Sequence, residues 1–400
     1  MTRAIVVIFL CALVACTSTA PATDLPPPTE SPKAALAPPT IDATQSPIAP
    51  EPPGSTLEPT PASTPAQTAI PETTPTPTPP AASPSATPNV DPPPPSPAGS
   101  VRLMAVGDVM LGWQVGRKIV RKGPASPWKG VKPFFDQADL VVANLECVIS
   151  DQGEPWPSKL IHLRTPLAAA ESLVAGGIDV VSVANNHALD FGPAAFTDTL
   201  ARLADNEIGY AGGGRNEAAA HAPLIVEENR LRIAFLGYVM PFSSRTTFNT
   251  REWAAGPSRP GVAIGTPDAV RRDVSLARES ADVVIVMVHG GLEYRAKPNA
   301  GQRAFAEAAI EAGAALVLGH HPHVLQGYAR HEGTLVAFSL GNFMFARFTG
   351  ASNDSAILDV MLTPAGVTSL AWIPVVLEGG IPRPAVGPEI QRILSRLPQI

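Results

Sequence analysis

From Val101 onward, short apolar runs alternate with amphipathic stretches. The runs Arg102–Val106, Leu140–Asn144, Val180–Ala184, Arg232–Gly237, Val283–His289, Leu316–Gly319 and Leu335–Leu340 predict strands. They are nearly continuous in Val, Ile, Leu and Ala, the pattern of strands covered on both faces. Between them lie helix signals. Thr165-Pro166 opens a stretch that closes at Gly176-Gly177, with threonine as the expected N-cap and proline in the first turn. Thr266-Pro267 opens a second stretch, and Ala300–Ala312 ends at Gly313. Ser355–Leu362 and Val367–Val376 predict a strand pair near the end. Repeated β-α-β units of this kind predict an α/β domain over residues 101–400 with buried sheets.

The first hundred residues follow another pattern. Between Pro21 and Ala98 lie 26 of the 46 prolines, mixed with Ser, Thr and Ala. Such a tract buries too little apolar surface to offset its ordering entropy, so residues 17–100 are expected to be a disordered, partly polyproline II linker. Ahead of it, MTRAIVVIFLCALVACTSTA carries one early positive charge and an apolar core too short to span a bilayer comfortably. It fits a secretory signal over residues 1–16. Its end, Leu13-Val14-Ala15-Cys16, resembles the bacterial lipobox, in which the cysteine becomes the lipid-bearing first residue. The expectation is an extracytoplasmic lipoprotein held to a membrane at Cys16, with the linker as a stalk. Cys147 is then the one remaining thiol, read as a buried hydrophobe, so no intramolecular disulfide forms.

The net charge of −6 belongs mostly to the linker. Residues 1–100 hold seven acids and two bases, leaving 28 acids against 27 bases in the folded part. No basic footprint for nucleic acid is present, and nucleic acid is not an expected partner.

Candidate chemistry collects where the apolar runs stop. VRLMAVGD ends in Asp108; LVVANLE in Asn144 and Glu146; VVSVANNH in Asn186 and His187; VVIVMVHG in His289; and ALVLGHHPH in His320, His321 and His323. Five of the eight histidines occupy three such ends. In open α/β sheets, sites form beyond the carboxyl ends of strands. A mixed set of Asp, Glu, Asn and His suits Mn, Fe or Zn better than Ca, and one or two such ions are the expected cofactor. Two ions bridged by a carboxylate clamp a phosphoryl group, with a neighbouring histidine free for proton transfer.

The series GDVMLG, NLE, NNHALDFG, HGGLEY, HPHVLQG and SLGNF resembles the capsule-synthesis CapA family, named for poly-γ-glutamate capsule formation. The likeness runs from about Val101 to Phe345, with six motifs in the family's order. The family's domain is similar to calcineurin-like metallophosphatases. The resemblance therefore implies a metallophosphatase-like, four-layer α/β/β/α sandwich. It also implies that Asp108, Glu146, Asn186, His289, His321 and His323 are metal ligands and that His187 is the general acid. Alternation along an extended segment puts His321 and His323 on one face and turns His320 away. Three departures stand out. The Asp-x-His opening is Asp108-Val109-Met110, the bridging Asp is Glu146 with Asn144 as a rival, and a frequent His-Trp-Gly is His289-Gly290-Gly291.

Asp190 is a candidate catalytic residue, with loop-holding as its structural alternative. Arg164, Asn144, Glu293 and Asn342 are candidate substrate contacts. Arg164 would clamp an anion, and Glu293 with Tyr294 would orient His289. His162, His221 and His331 are read as surface residues. Two functions are expected: a metal-dependent hydrolase or transferase acting on a phosphoester or polymer linkage outside the cytoplasm, or a non-catalytic export and anchoring component with a vestigial metal site. Other capsule-synthesis proteins are expected partners of either.

Overall fold

The computed structural model describes residues 96–242 and 248–400, together with the backbone of Val6–Ile8. Cys16 and the proline-rich tract as far as Pro95 lie outside the described residues. At the start of the domain, the Gly99 amide donates to the Asn229 carbonyl at 2.9 Å and Ser100 is buried.

Two sheets face each other. One runs in the order Ile381–Pro384, Gly366–Glu378, Asp354–Thr363, Val101–Val109, Leu140–Leu145, Val180–Ser182 and Gly209–Ala211, with Asn342–Met344 beside the end of Val101–Val109. The other runs Val6–Ile8, Leu224–Glu228, Leu231–Val239, Val283–His289, Leu316–His320, Thr334–Ala337 and Tyr328–His331. Four consecutive strands of each are parallel. Leu103, Ala105, Leu140 and Val142 from the first sheet meet Ile233, Phe235, Ile285 and Leu318 from the second. Helices Trp113–Lys122, Ala169–Gly176 and Gly192–Asp205 cover the first sheet through Ile119, Leu173 and Phe196. Helices Pro267–Ala277 and Ala300–Glu311 cover the second through Val274 and Phe305. The fold is the four-layer α/β/β/α sandwich. Each fully buried Leu or Phe contributes about 1.5–3 kcal/mol of apolar burial, so the middle layer binds the sheets firmly.

Strand alternation aims the chemistry. Side chains that point between the sheets fill the core along most of each strand and become polar only at its exit. Val142 is followed two and four residues on by Asn144 and Glu146; Ile285 and Met287 by His289; Leu316 and Leu318 by His320. Asp108 needs one extra device. Inward Leu103 and Ala105 would leave it facing out, but the register shifts between Ala105 and Asp108, where Ala105 pairs Val142 and Asp108 pairs Asn144. That β-bulge inserts one residue and turns Asp108 inward. Gly107 sits within it, and a Cβ there would lie 1.9 Å from the Gly341 carbonyl oxygen.

Several expected boundaries shift. Thr266 caps its helix, accepting from the Ala269 amide at 3.1 Å, and Gly313 ends the Ala300 helix at φ +102°. Thr165 does not cap: its hydroxyl donates to the Leu111 carbonyl at 2.7 Å, and the helix begins at Ala169. Short strands such as Gly209–Ala211, Tyr328–His331 and Ile381–Pro384 escaped the apolar pattern because they are edge strands or too brief to show a period.

Candidate metal centre

Between the two sheets' exits, Asp108 and Glu146 lie fully buried. Asp108 Oδ1 accepts from Asn144 Nδ2 at 2.8 Å, and Oδ2 stands 3.4 Å from His323 Nδ1. Burial opposes its charge, but His320, His323 and His289 outweigh that and hold the carboxyl well below its usual range. Glu146 is the opposite case. Neither of its oxygens has a hydrogen-bond partner among the described residues, although both are buried. His289 Nε2 lies 3.7 Å from Glu146 Oε1, while His187 Nε2 and His323 Nε2 each lie 4.0 Å away. Burial, reinforced by Asp108, pushes the Glu146 carboxyl well above its usual range.

Two groups of donor atoms share Glu146. Asp108, Glu146 and His323 bring ligand atoms within 4.8 Å of one another, and so do Glu146, His289 and His321. Asn186 Oδ1 joins the second group, 2.9 Å from His289 Nε2. A buried carboxylate with no hydrogen bond among the described residues, between two nitrogen- and oxygen-bearing groups, fits divalent cations. The histidines are tuned accordingly. Burial, with His323 beside it, lowers His321 to about 3. His323 is pulled down by burial, but Glu146 and Asp108 lift it to about 9.

The histidine turn differs from the expected extended segment. His321 and His323 have φ of +92° and +56°, so the chain coils back and alternation does not govern it. His320 does not turn away. It continues the inward row of its strand, with Nδ1 3.5 Å from Asp108 Oδ1 and both ring nitrogens buried without hydrogen bonds.

His187 sits beside this group. Its Nδ1 meets Asp190 Oδ2 at 2.6 Å, and its backbone amide donates to Asn185 Oδ1 at 3.0 Å. Burial, with Lys159 adding to it, lowers His187 to about 4 against the pull of Asp190. Asp190 is itself fully buried and accepts from the Leu163 amide at 2.6 Å, so its carboxylate is turned toward His187 and the loop backbone. Lys159, which the sequence pattern did not single out, pairs with Asp190 and also reaches His187 Nδ1 at 3.3 Å. Its ammonium lies 5.0 Å from the Phe248 ring centre and 4.8 Å from that of Trp253. No periodicity marks a lysine in the irregular loop before Leu160, so only the fold reveals it.

The candidate substrate contacts divide. Asn144 and Asn342 are fully buried struts, not open surfaces. Asn144 bridges Asp108, His289 at 3.2 Å and Asn185 at 3.2 Å; Asn342 Oδ1 meets His323 Nδ1 at 2.9 Å. Arg164 is engaged within the protein: its guanidinium donates to the Gln152 and Gly153 carbonyls and stacks 3.6 Å from the centre of the Phe191 ring. Glu293 remains exposed, with its carboxylate within 4.8 Å of His321 and His323 ligand atoms. His221 is half-buried and paired with Asp273 at 2.7 Å, not a free surface residue. Cys147 is buried, and burial pushes its thiol up to about 12.

The departures also have structural answers. Met110 is buried, and its sulfur accepts from the Gly112 amide at 3.0 Å. At Gly290 the Met240 side chain fills the space, 2.6 Å from where a Cβ would lie.

Comparison with known proteins agrees with the motif order. The bacterial capsule synthesis protein PGA_cap family matches residues 102–347. The PGA biosynthesis protein CapA of Bacillus subtilis is 33% identical over 281 residues, 70% of this chain and 72% of its own. The capsule biosynthesis protein CapA of Bacillus anthracis is 30% identical over 286 residues, 70% of this chain and 68% of its own. A solved Staphylococcus aureus structure described as a 5'-nucleotidase with α-ketoglutarate aligns with a TM-score of 0.44 and 15% identity, covering 74% of this chain and 58% of its own. The chain belongs to the bacterial capsule synthesis protein PGA_cap family.

Proposed function

We propose that this chain is a metal-dependent hydrolase serving capsule or poly-γ-glutamate synthesis outside the cytoplasm, acting on a phosphoester or a polymer linkage. One observation carries the reading: Glu146, a fully buried carboxylate with no hydrogen bond among the described residues, faces His187, His289 and His323. Asp108, Glu146 and His323 would hold one cation, and Glu146, Asn186, His289 and His321 a second. Mn, Fe or Zn suits the donors. Such a cation supplies Lewis-acid polarisation and a more acidic water. The protein's own groups supply the rest. Asp190 accepts the His187 Nδ1 proton and leaves Nε2 directed at the centre, poised to move a proton to or from a reacting oxygen. Burial opposes the charge of Asp190, but His187, and after it Lys159, hold its carboxyl below the usual range.

The test is metal content and turnover of aryl phosphomono- and diesters with added Mn. His187→Ala and His321→Ala should each lower kcat/KM at least about 100-fold, the scale of a lost acid–base or metal group. A chain that takes up none of the three metals would overturn the proposal. Met110 favours one competing reading, a binding component for exopolymer export, because the nitrogen ligand expected there is absent and the thioether is turned into the core. Robust turnover abolished by both substitutions removes that reading. Attachment at Cys16 belongs to the same proposal and rests on Leu13-Val14-Ala15-Cys16. Cys16→Ser should release the chain from membranes; unchanged partitioning would refute it.

A further inference from the structure

The segment from Val109 to Phe135 contains six basic residues and no acidic one, although the folded part as a whole is balanced. Its centre is the helix Trp113–Lys122, which buries Val115 and Ile119 and leaves Arg117, Val120, Arg121 and Lys122 exposed. Arg121 and Lys122 complement the negative end of that helix. That accounts for two charges and leaves Arg117, Lys118 and Lys129 unexplained. None of these five has a carboxylate within 4 Å among the described residues, whereas Lys132 pairs with Asp136. Crowding is felt: burial, with Lys122 and Lys129 nearby, lowers the Lys118 ammonium.

Beside this charge lies a groove of about 290 Å³, lined by Trp113, Gly116, Arg117, Val120, Arg121 and Pro166. Its floor is apolar, and Val120 is 68% exposed along it. The groove depends on Gly116, where a Cβ would lie 2.8 Å from Pro166 Cδ. At Trp113 its wall is in packing contact with the metal centre. Trp113 packs edge-on against Phe345 at 6.1 Å, and Phe345 against His323 at 5.4 Å. The exposed Arg347 lies with its guanidinium 4.1 Å from the Trp113 ring centre, placing a further cation at the joint.

We propose that this groove binds a flexible polycarboxylate chain, of the γ-linked glutamate type, beside the metal centre. The polymer's identity rests on the function proposed above; the class of ligand rests on the groove. Arg117, Arg121 and Arg347 meet carboxylates in the planar, two-bonded manner suited to guanidinium. Trp113 and Val120 take the methylene segments between them. A polymer with charges spaced along an aliphatic backbone satisfies both surfaces at once. A flat bilayer surface matches the charge but not the groove, whose apolar floor lies between the guanidinium groups.

The test uses the full chain carrying Cys16→Ser, stripped of metal so that binding is separate from turnover. A fluorescent γ-linked glutamate decamer is titrated, alongside the same decamer with its carboxylates amidated and vesicles containing phosphatidylglycerol. The decamer should bind, with affinity falling at least about tenfold between low and moderate salt as screening shortens the reach of the charges. The paired change Arg117→Glu with Arg121→Glu should weaken it at least about tenfold through like-charge repulsion. Arg117→Lys with Arg121→Lys should keep most of it, and the amidated decamer should not bind. Failure of the parent to bind the decamer overturns the proposal. So does equal binding by the charge-reversed chain, or an effect of these residues on vesicles alone. Metal re-uptake by the stripped chain, measured after Mn, Fe or Zn is added back, separates the two claims. Decamer binding without metal uptake upholds the groove and sinks the hydrolase, while metal uptake without decamer binding sinks the groove.

Discussion

At the scale of single residues, Glu146 sets the character of the centre. Its folded carboxyl titrates above its unfolded value of 4.5. In the metal-free chain its contribution to stability is therefore complete below pH 4.5 and lost as pH rises through the folded value. Glu146→Gln removes that burden. The metal-free variant should melt higher than the parent at neutral pH, while its metal affinity drops more than about 100-fold, since even residues that merely support ligands cost 10–100-fold. Thermal melts with and without chelator check both signs at once. His323 makes a related prediction. Its value rises from 6.5 to about 9, so the stability it supplies to the metal-free chain is present below 6.5 and lost as pH rises through 9. Metal binding requires that proton to leave. Metal affinity should therefore increase from pH 6.5 to 9, and calorimetry in two buffers of different ionisation enthalpy should register the proton released.

At the scale of elements, the decisive device is the bulge that turns Asp108 inward. Gly107→Ala places a methyl against the Gly341 backbone, which cannot yield as a side chain tip can. It should destabilise the chain by about 3 kcal/mol or more in urea unfolding. Thr266→Ala, which removes one cap bond, should cost only about 1 kcal/mol. The contrast shows what the sequence made legible. Strand exits at Asn144, Glu146 and His289 could be read from apolar periodicity because regular strands carry their phase to the end. The bulge has no periodic signature; a glycine before an aspartate was its one trace. The turn at His321 and His323 has no such signature either, since alternation ends with the strand at His320. Lys159 was invisible because its role depends on loop packing against Trp253 and Phe248, contacts far apart in sequence.

At the scale of the molecule, the layers could be inferred from continuous apolar strands alternating with capped helices. The pairing of two sheets could not, because nothing local records which strand lies across from which. The centre exists only where both sheets meet, so cation binding should stabilise the entire sandwich. At one hundred times the dissociation constant the gain is about 2.7 kcal/mol, or about 5–10 °C in Tm for a domain of this size. Scanning calorimetry with and without Mn or Zn checks it. A chain whose ligands stay scattered, from Asp108 to His323, until the sheets dock offers a cation little when unfolded. Protease resistance then becomes a gauge of metal supply: where the ion is plentiful the protein persists, and where a competitor withdraws it the unfolded fraction grows and is cleared. The lifetime of the molecule, and not only its chemistry, would then follow the supply of that ion.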